Sequence, residues 1–322
     1  MISLLEKLRM KEHAYLLKKY YNFMKTGELG SQEKIFNHLQ GFYPEGSQFV
    51  VLSMDMTYMG AGKLTESFEN QLNQLTSLKQ KYGDMIHPFV FAHPERPDIL
   101  NFVRTQIEQN KFTGIKLYPA IGYFPSDKRL MDVYKYAEEK QIPIMTHCTR
   151  GGVYYKGELT LDRRTDPVTG EVFPKAKKGV FTEIYSDPER FKPILELYPN
   201  LKLCFAHYGG WGDWDKFLAE SWHENIERSW LYKINQFIRN DKYRNIYTDI
   251  SYTLVRTDLF TVLKTFMETN EKIRQHVLFG TDYYMTEIEG SERFFGMNLR
   301  GFLGESLWDQ IAEENPRSYL GI

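Results

Sequence analysis

The chain has 322 residues, with 41 Lys+Arg against 42 Asp+Glu and 42% hydrophobic side chains. Near-neutral charge removes the electrostatic case for nucleic acid or an anionic membrane surface as a partner, and the apolar content is ample for a large core and excludes global disorder. Two cysteines, Cys148 and Cys204, are too few for a disulfide framework and point to a reducing compartment. The amino-terminal stretch MISLLEKLRMKEHAYLLKKYY carries charges every few residues and lacks the apolar core of a secretory signal. No window reaches about 18 uninterrupted apolar residues. The expectation is a soluble, cytoplasmic protein.

Along the chain, residues 1–47 read as a helical segment (YLLKKYYNFM, SQEKIFNHLQ). A first strand-like run follows, QFVVLSMDM (48–56), then an amphipathic helix over 65–82. PFVFAH (88–93) leads to a helix from Pro97 to Gln109, with Ile99, Phe102, Val103 and Ile107 on one face. TGIKLYP (113–119) leads to a helix from Asp127 to Lys140 that Ser126 is placed to cap. After IPIMTHC (142–148) the rhythm breaks. Residues 150–199, with GELTLDRRTDPVTGEVFPKAKKG, are polar and turn-rich and read as an inserted loop or hairpin over one end of the sheet, with a helix from Lys192 to Tyr198 at its close. LKLCFAHYG (201–209), NIYTDIS (245–251), a helix from Asp258 to Asn270 and HVLFGTDY (276–283) complete the series.

Short, nearly continuous apolar runs suit strands covered on both faces. Their alternation with helices predicts an α/β fold, a (β/α)8 TIM-barrel-like single domain over residues 1–322. Seven runs are found where a closed barrel needs eight. The expectation is therefore a barrel whose first strand is absent. Its open seam is to be covered by residues 1–47, by a partner chain or by missing residues.

Polar residues sit where these runs end: Lys116 and Tyr118, His147, His207, and Asp282. In a parallel barrel the carboxyl ends of all strands meet on one rim, where active sites of this architecture lie. Two imidazoles and a carboxylate suit Zn²⁺, Mn²⁺ or Fe²⁺. The plain alternatives are a hydrogen-bonded structural histidine and an aspartate that caps the next helix. Arg150 could hold an anionic substrate group or be a solvated loop arginine. Tyr118 and Tyr123 could line the pocket, and Asp249 could orient a neighbour. His93 lies behind the site at most. Trp211 and Trp214 pack or wall the site. Cys148 beside His147 is no nucleophile pair, because neighbours on a strand face opposite ways.

TGIKLYP, PIMTHC, LCFAHYGG, VLFGTDYY and the closing IAEENPRSYLGI together resemble the amidohydrolase superfamily. The branch is that of amidohydrolase-related proteins and 2-amino-3-carboxymuconate semialdehyde decarboxylase, and the likeness runs from about residue 48 to the end. The resemblance implies a TIM barrel with His147 as a metal ligand. It implies His207 as a ligand to a second metal or a polariser of substrate, and Asp282 as a ligand that also handles the proton of the attacking water. Lys116 matches a lysine that is carboxylated in two-metal members; the alternative is a lysine that pairs a substrate carboxylate or Asp282. The implied cofactor is a divalent metal, zinc first, with manganese or iron as alternatives. The implied reaction is hydrolysis of a small amide, ester or lactone, with nonoxidative decarboxylation of a small carboxylic acid as the alternative. Homodimerisation is a habit of the family. The sequence departs from the pattern at one place. The first-strand His-x-His pair is absent, Asp55-Met56-Thr57 ends the first run, and His13 and His38 stand alone. Two explanations compete: a sequence that starts late, so that strand one is absent, and a catalytically inactive barrel that has lost the His-x-His metal ligands.

Overall fold

The computed structural model describes residues 27–220 and 225–322, together with residues 17, 21, 24 and 25. In chain order its elements are α1 (Gln32–Gln40), β1 (Phe49–Leu52), α2 (Phe68–Tyr82), β2 (Ile86–Phe91), α3 (Ile99–Glu108), β3 (Gly114–Leu117), α4 (Met131–Glu139) and β4 (Ile144–Thr149). Then come α5 (Leu161–Arg164), α6 (Val180–Ser186), α7 (Lys192–Leu197), β5 (Leu203–Gly209), α8 (Trp211–Glu220), α9 (Trp230–Arg239) and β6 (Ile246–Asp249). The chain ends with α10 (Phe260–Thr269), α11 (Glu271–His276), β7 (Val277–Leu278), α12 (Tyr283–Glu289), α13 (Glu292–Leu303), α14 (Glu305–Asp309) and α15 (Asn315–Leu320). Among the described residues no helix is long and apolar enough to cross a membrane.

The seven strands form one parallel sheet in sequence order, each paired with the next. This is the expected barrel short of one strand. Local chemistry explains the helices that separate them. Ser67 accepts a hydrogen bond from Asn70 N at 3.1 Å to start α2, whose Leu72, Leu75 and Leu78 are buried. Before α4 the cap is not the expected Ser126. A 3-10 turn begins at Lys128, so the capping position falls one residue later, and Asp127 accepts from Arg129 N at 3.0 Å. In α9, Trp230, Leu231, Ile234, Phe237 and Ile238 recur at helical spacing and are all buried.

Alternate strand residues face inward. Phe89, Met145, Cys204, Ala206, Tyr247 and Leu278 pack together in the barrel interior with Tyr319 of α15. Gly114 is required there, since a Cβ on it would stand 2.5 Å from the ring of its strand neighbour Phe89. The intervening residues, such as Ile115, Ile144, Leu203 and Cys148, pack outward into the layer shared with the helices. The insertion is not all loop. It carries α5, an isolated antiparallel bridge between Thr165 and Val172, and α6.

The seam between β1 and β7 is spanned from outside by residues 31–47. Phe36 of α1 lies edge-on to Phe49 at 5.4 Å and to Tyr82 at 5.0 Å. Tyr43 lies 5.4 Å from Phe49 and 6.5 Å from Phe279, and its hydroxyl donates to Glu292 at 2.5 Å. Arg293 donates to the Gly41 carbonyl at 2.8 Å. The described part of the helical segment therefore covers the seam's outer side.

Candidate active site

The rim is built on unusual backbone. β5 does not simply stop: His207, Tyr208, Gly209 and Gly210 have φ of 68°, 45°, 83° and 84°. Tyr252 and Asp282, at the matching ends of the next strands, have φ of 58° and 56°. Left-handed backbone is costly for residues with a Cβ, and such residues persist where the surroundings over-determine them. Here they are held firmly. Asp249 Oδ1 accepts from His207 N at 3.1 Å and from Ser251 N at 2.9 Å. Thr253 Oγ1 donates to the His207 carbonyl at 2.5 Å, and Gly210 N donates to the same oxygen at 2.7 Å. The left-handed turn swings the His207 ring toward the barrel axis, and the rings of His147 and His207 meet edge to face at 5.0 Å.

Each imidazole is oriented by backbone. His207 Nδ1 donates to the Ser251 carbonyl at 3.1 Å, with Ser251 Oγ at 2.9 Å, which leaves Nε2 for the site. His147 Nε2 donates to the Gly151 carbonyl at 3.0 Å, and its ring stacks on Tyr118 at 3.9 Å. The Tyr118 hydroxyl accepts from Val153 N at 3.1 Å. Gly152, at φ 101°, lets the chain pass over both rings: a Cβ there would lie 2.3 Å from the Tyr118 hydroxyl. Lys116 is buried beside them, its Nζ 5.9 Å from the centre of the Tyr118 ring. Its ammonium makes no hydrogen bond to a described residue.

Burial governs the electrostatics. It pushes His147 well below the usual imidazole value, with His207 and Lys116 adding to the effect. It pushes the Lys116 ammonium down, while Asp249 and Asp282 oppose. Asp282 is exposed at the rim, yet the protein around its carboxyl displaces enough water to raise it above the usual range, with His207 and Lys116 opposing. Asp282 occupies the capping position of α12, but its carboxylate makes no capping hydrogen bond. The mutual influence of Lys116, His147, His207, Asp249 and Asp282 places all five in one neighbourhood.

These donors do not fit a metal ion as they stand. No three His, Cys, Asp or Glu side chains among the described residues are placed to hold one, and the His147 Nε2 is committed to Gly151. Arg150, expected to hold an anionic substrate group, is committed elsewhere. Its guanidinium makes hydrogen bonds to Asp213 at 2.8 and 3.1 Å, to Glu183 at 2.6 Å and to the Arg228 carbonyl at 2.9 Å, and it lies over Trp230. All three of its nitrogens are spent on tying β4 to α6 and α8. Asp55, where the histidine pair is missing, bonds to Arg96 at 2.6 Å. Trp214 is fully buried and Trp211 is 45% exposed. A cavity of about 400 Å³ lies beside the rim, under the insertion, and includes Tyr123, Asp127, Arg129, Tyr155 and Arg163 in its lining. None of the rim donors lines it, and its arginines are paired with Asp127 and Glu95, so the chemistry is placed at the rim. Ser251, Gly151 and Gly152 were not legible as site residues. Only the glycine pair after His147 hinted at close backbone approach.

Solved structures with the same architecture span most of the chain. An uncharacterised TIM-barrel protein from Bordetella bronchiseptica aligns over 94% of this chain and 91% of its own, at 15% identity and a TM-score of 0.56. 5-Carboxyvanillate decarboxylase from Novosphingobium aromaticivorans, with bound manganese and 3-methoxy-4-hydroxy-5-nitrobenzoic acid, aligns over 91% of this chain and 81% of its own, at 11% identity and a TM-score of 0.57. 2,6-Dihydroxybenzoate decarboxylase complexed with 2,6-dihydroxybenzoate aligns over 89% and 87%, at 13% identity and a TM-score of 0.55. At such identities the likeness establishes the fold, a TIM barrel. No curated protein matches the sequence. The family model of the amidohydrolases (Amidohydro_2) matches residues 40–322, from α1 to the carboxyl end, and the chain belongs to that family.

Proposed function

We propose that the rim decarboxylates a small carboxylic acid without oxidation. The observation that carries this is Lys116: a buried ammonium on the barrel's inner face that makes no hydrogen bond to a described residue and stands beside the Tyr118–His147 stack. A buried cation without a hydrogen-bonded partner is costly, and a substrate carboxylate would relieve that cost. The flat Tyr118 and His147 rings suit a planar, unsaturated substrate. His207, with Nε2 left free, accepts a hydrogen bond from a substrate hydroxyl. The bond to the carboxyl carbon then breaks, carbon dioxide leaves, and the electron pair stays on the substrate carbon. Asp282 delivers the proton that replaces the carboxyl group, and solvent restores it. The architecture shared with two decarboxylases is consistent with this reading.

Hydrolysis of an amide, ester or lactone would use the same groups with the proton moving the other way, from water to Asp282. A divalent ion, zinc or manganese, would need a donor beyond those gathered here. The test is carbon dioxide release from a panel of small aromatic and unsaturated carboxylates, with and without added manganese or zinc. Release that falls by about 100-fold in Lys116→Met supports the proposal. Turnover of amides or lactones with no carbon dioxide would replace it with hydrolysis. Neither activity, in a folded protein, would leave the inactive barrel.

A further inference from the structure

Asp249 closes β6 and is 3% exposed. A carboxylate so deeply buried is costly unless donors meet it. The Asp249-Ile250-Ser251 step supplies them locally. Ile250 is fully buried, and the chain turns so that Asp249 Oδ1 accepts from Ser251 N at 2.9 Å, the bond of an Asx turn. The same turn brings the Ser251 hydroxyl onto the same oxygen. A third donor arrives from β5, His207 N at 3.1 Å. One carboxylate oxygen therefore gathers the left-handed backbone at His207 and the serine beside its ring.

The direction of the hydroxyl follows from its chemistry. Serine has a single hydroxyl proton, and a carboxylate only accepts. Ser251 therefore spends its proton on Asp249. Toward His207 Nδ1, 2.9 Å away on its other side, the oxygen then offers only lone pairs. The Ser251 carbonyl, 3.1 Å from Nδ1, likewise only accepts. Nδ1 faces two acceptors and carries the ring proton, so Nε2 keeps its lone pair. Without Asp249 the hydroxyl is free to turn. It stands closer to Nδ1 than the carbonyl does, and it would donate there. The ring proton would then move to Nε2, and His207 would show the site a donor in place of an acceptor.

We infer that Asp249 is a positioning residue that sets the tautomer of His207 through the Ser251 hydroxyl. It does not touch the substrate. Its value to turnover rests on the proposed role of His207 Nε2 as the acceptor from a substrate hydroxyl, whereas the tautomer itself does not depend on that reading.

The test is nitrogen NMR of the full chain labelled at histidine, without substrate, with the His207 ring neutral and assigned by its loss in His207→Gln. The native chain should carry the proton on Nδ1. Asp249→Ala should raise the ratio of the Nε2-protonated to the Nδ1-protonated form about tenfold, the worth of roughly one hydrogen bond. Asp249→Asn keeps an oxygen for the three donors and should keep the native tautomer. Adding Ser251→Ala to Asp249→Ala removes the competing donor and should restore it. A purely structural role for Asp249 would not be repaired by deleting a second hydroxyl. If Asp249→Ala does not fold, Ser251→Ala alone decides: the Nδ1 proton signal should move, because that proton loses an acceptor. A native ring protonated on Nε2, an Nδ1 signal that Ser251→Ala leaves in place, or a tautomer that Asp249→Ala does not change would each overturn the inference, with the decarboxylation proposal untouched. The expected shifts in a chain that releases no carbon dioxide would support the inference and overturn that proposal instead.

Discussion

The barrel has a closed side and an open side, and they are stabilised differently. On the closed side β4 and β5 are six and seven residues long and pair over most of their length. Their inner residues are buried, and a polar network behind them joins Arg150, Asp213, Glu183 and Trp230. On the open side β1 has four residues and β7 has two. There, residues 31–47 bridge the edges through aromatic side chains and the Tyr43–Glu292, Arg293–Gly41 and His38–Tyr283 hydrogen bonds. The candidate chemistry sits on the closed side, apart from Asp282. Left-handed backbone is nevertheless found on both sides, at His207 and Tyr208 after the long β5 and at Asp282 after the two-residue β7.

The largest expected effect tests whether the closed side depends on its buried network. Asp213 is 1% exposed and accepts from Arg150 at 2.8 and 3.1 Å and from Trp230 N at 2.8 Å. Asp213→Ala leaves a guanidinium and a buried N–H without their partner, so a loss of about 3 kcal/mol is expected. Asp213→Asn keeps an acceptor and should lose clearly less. Urea denaturation of the two variants checks this. Equal and small losses would show that the closed side does not rely on the network.

Much of this division was legible in the sequence. All seven strands follow from apolar runs bounded by Pro, Gly and Asn, because two-sided burial leaves a periodic trace. The rim residues were legible because each ends such a run. The count of seven already announced a seam. The role of Arg150 was not legible, because its partners Asp213 and Glu183 lie 63 and 33 residues away. The turn at His207 was half legible: Gly209-Gly210 signals it, but nothing local says that His207 and Tyr208 also take left-handed backbone. Ser251 was missed because its contribution is mainly a carbonyl, which every residue has.

A smaller effect on the open side depends on pH. Glu292 is fully buried at the seam, and burial raises its carboxyl above the ordinary range, opposed by hydrogen bonds from Thr281 and Tyr43. A carboxyl with a raised native pKa keeps its proton in the fold at a pH where the unfolded chain has released it. Its contribution is therefore full below the unfolded value and is lost as pH rises through the folded one. Glu292→Gln should remove that loss, so the variant gains on the parent as pH rises from about 4 to 8. Thermal midpoints across that range measure it. A constant difference would mean that Glu292 is already charged in the fold.

The smallest effect, at Leu52, sharpens the comparison most when set beside a large one at Met145. Leu52 pairs in register with Phe89, so Met145 and Leu52 occupy the same inner face, at 8% and 41% exposure. Met145→Ala should cost about 2–4 kcal/mol, because the closed side cannot collapse around the void. Leu52→Ala should cost no more than about 0.5 kcal/mol, because its side chain already meets water. The two values come from one denaturation series. If Leu52→Ala costs as much as Met145→Ala, the inner face is closed all the way round in solution. If it is cheap, as its exposure predicts, the inner face of β1 meets water in solution and the asymmetry belongs to the fold.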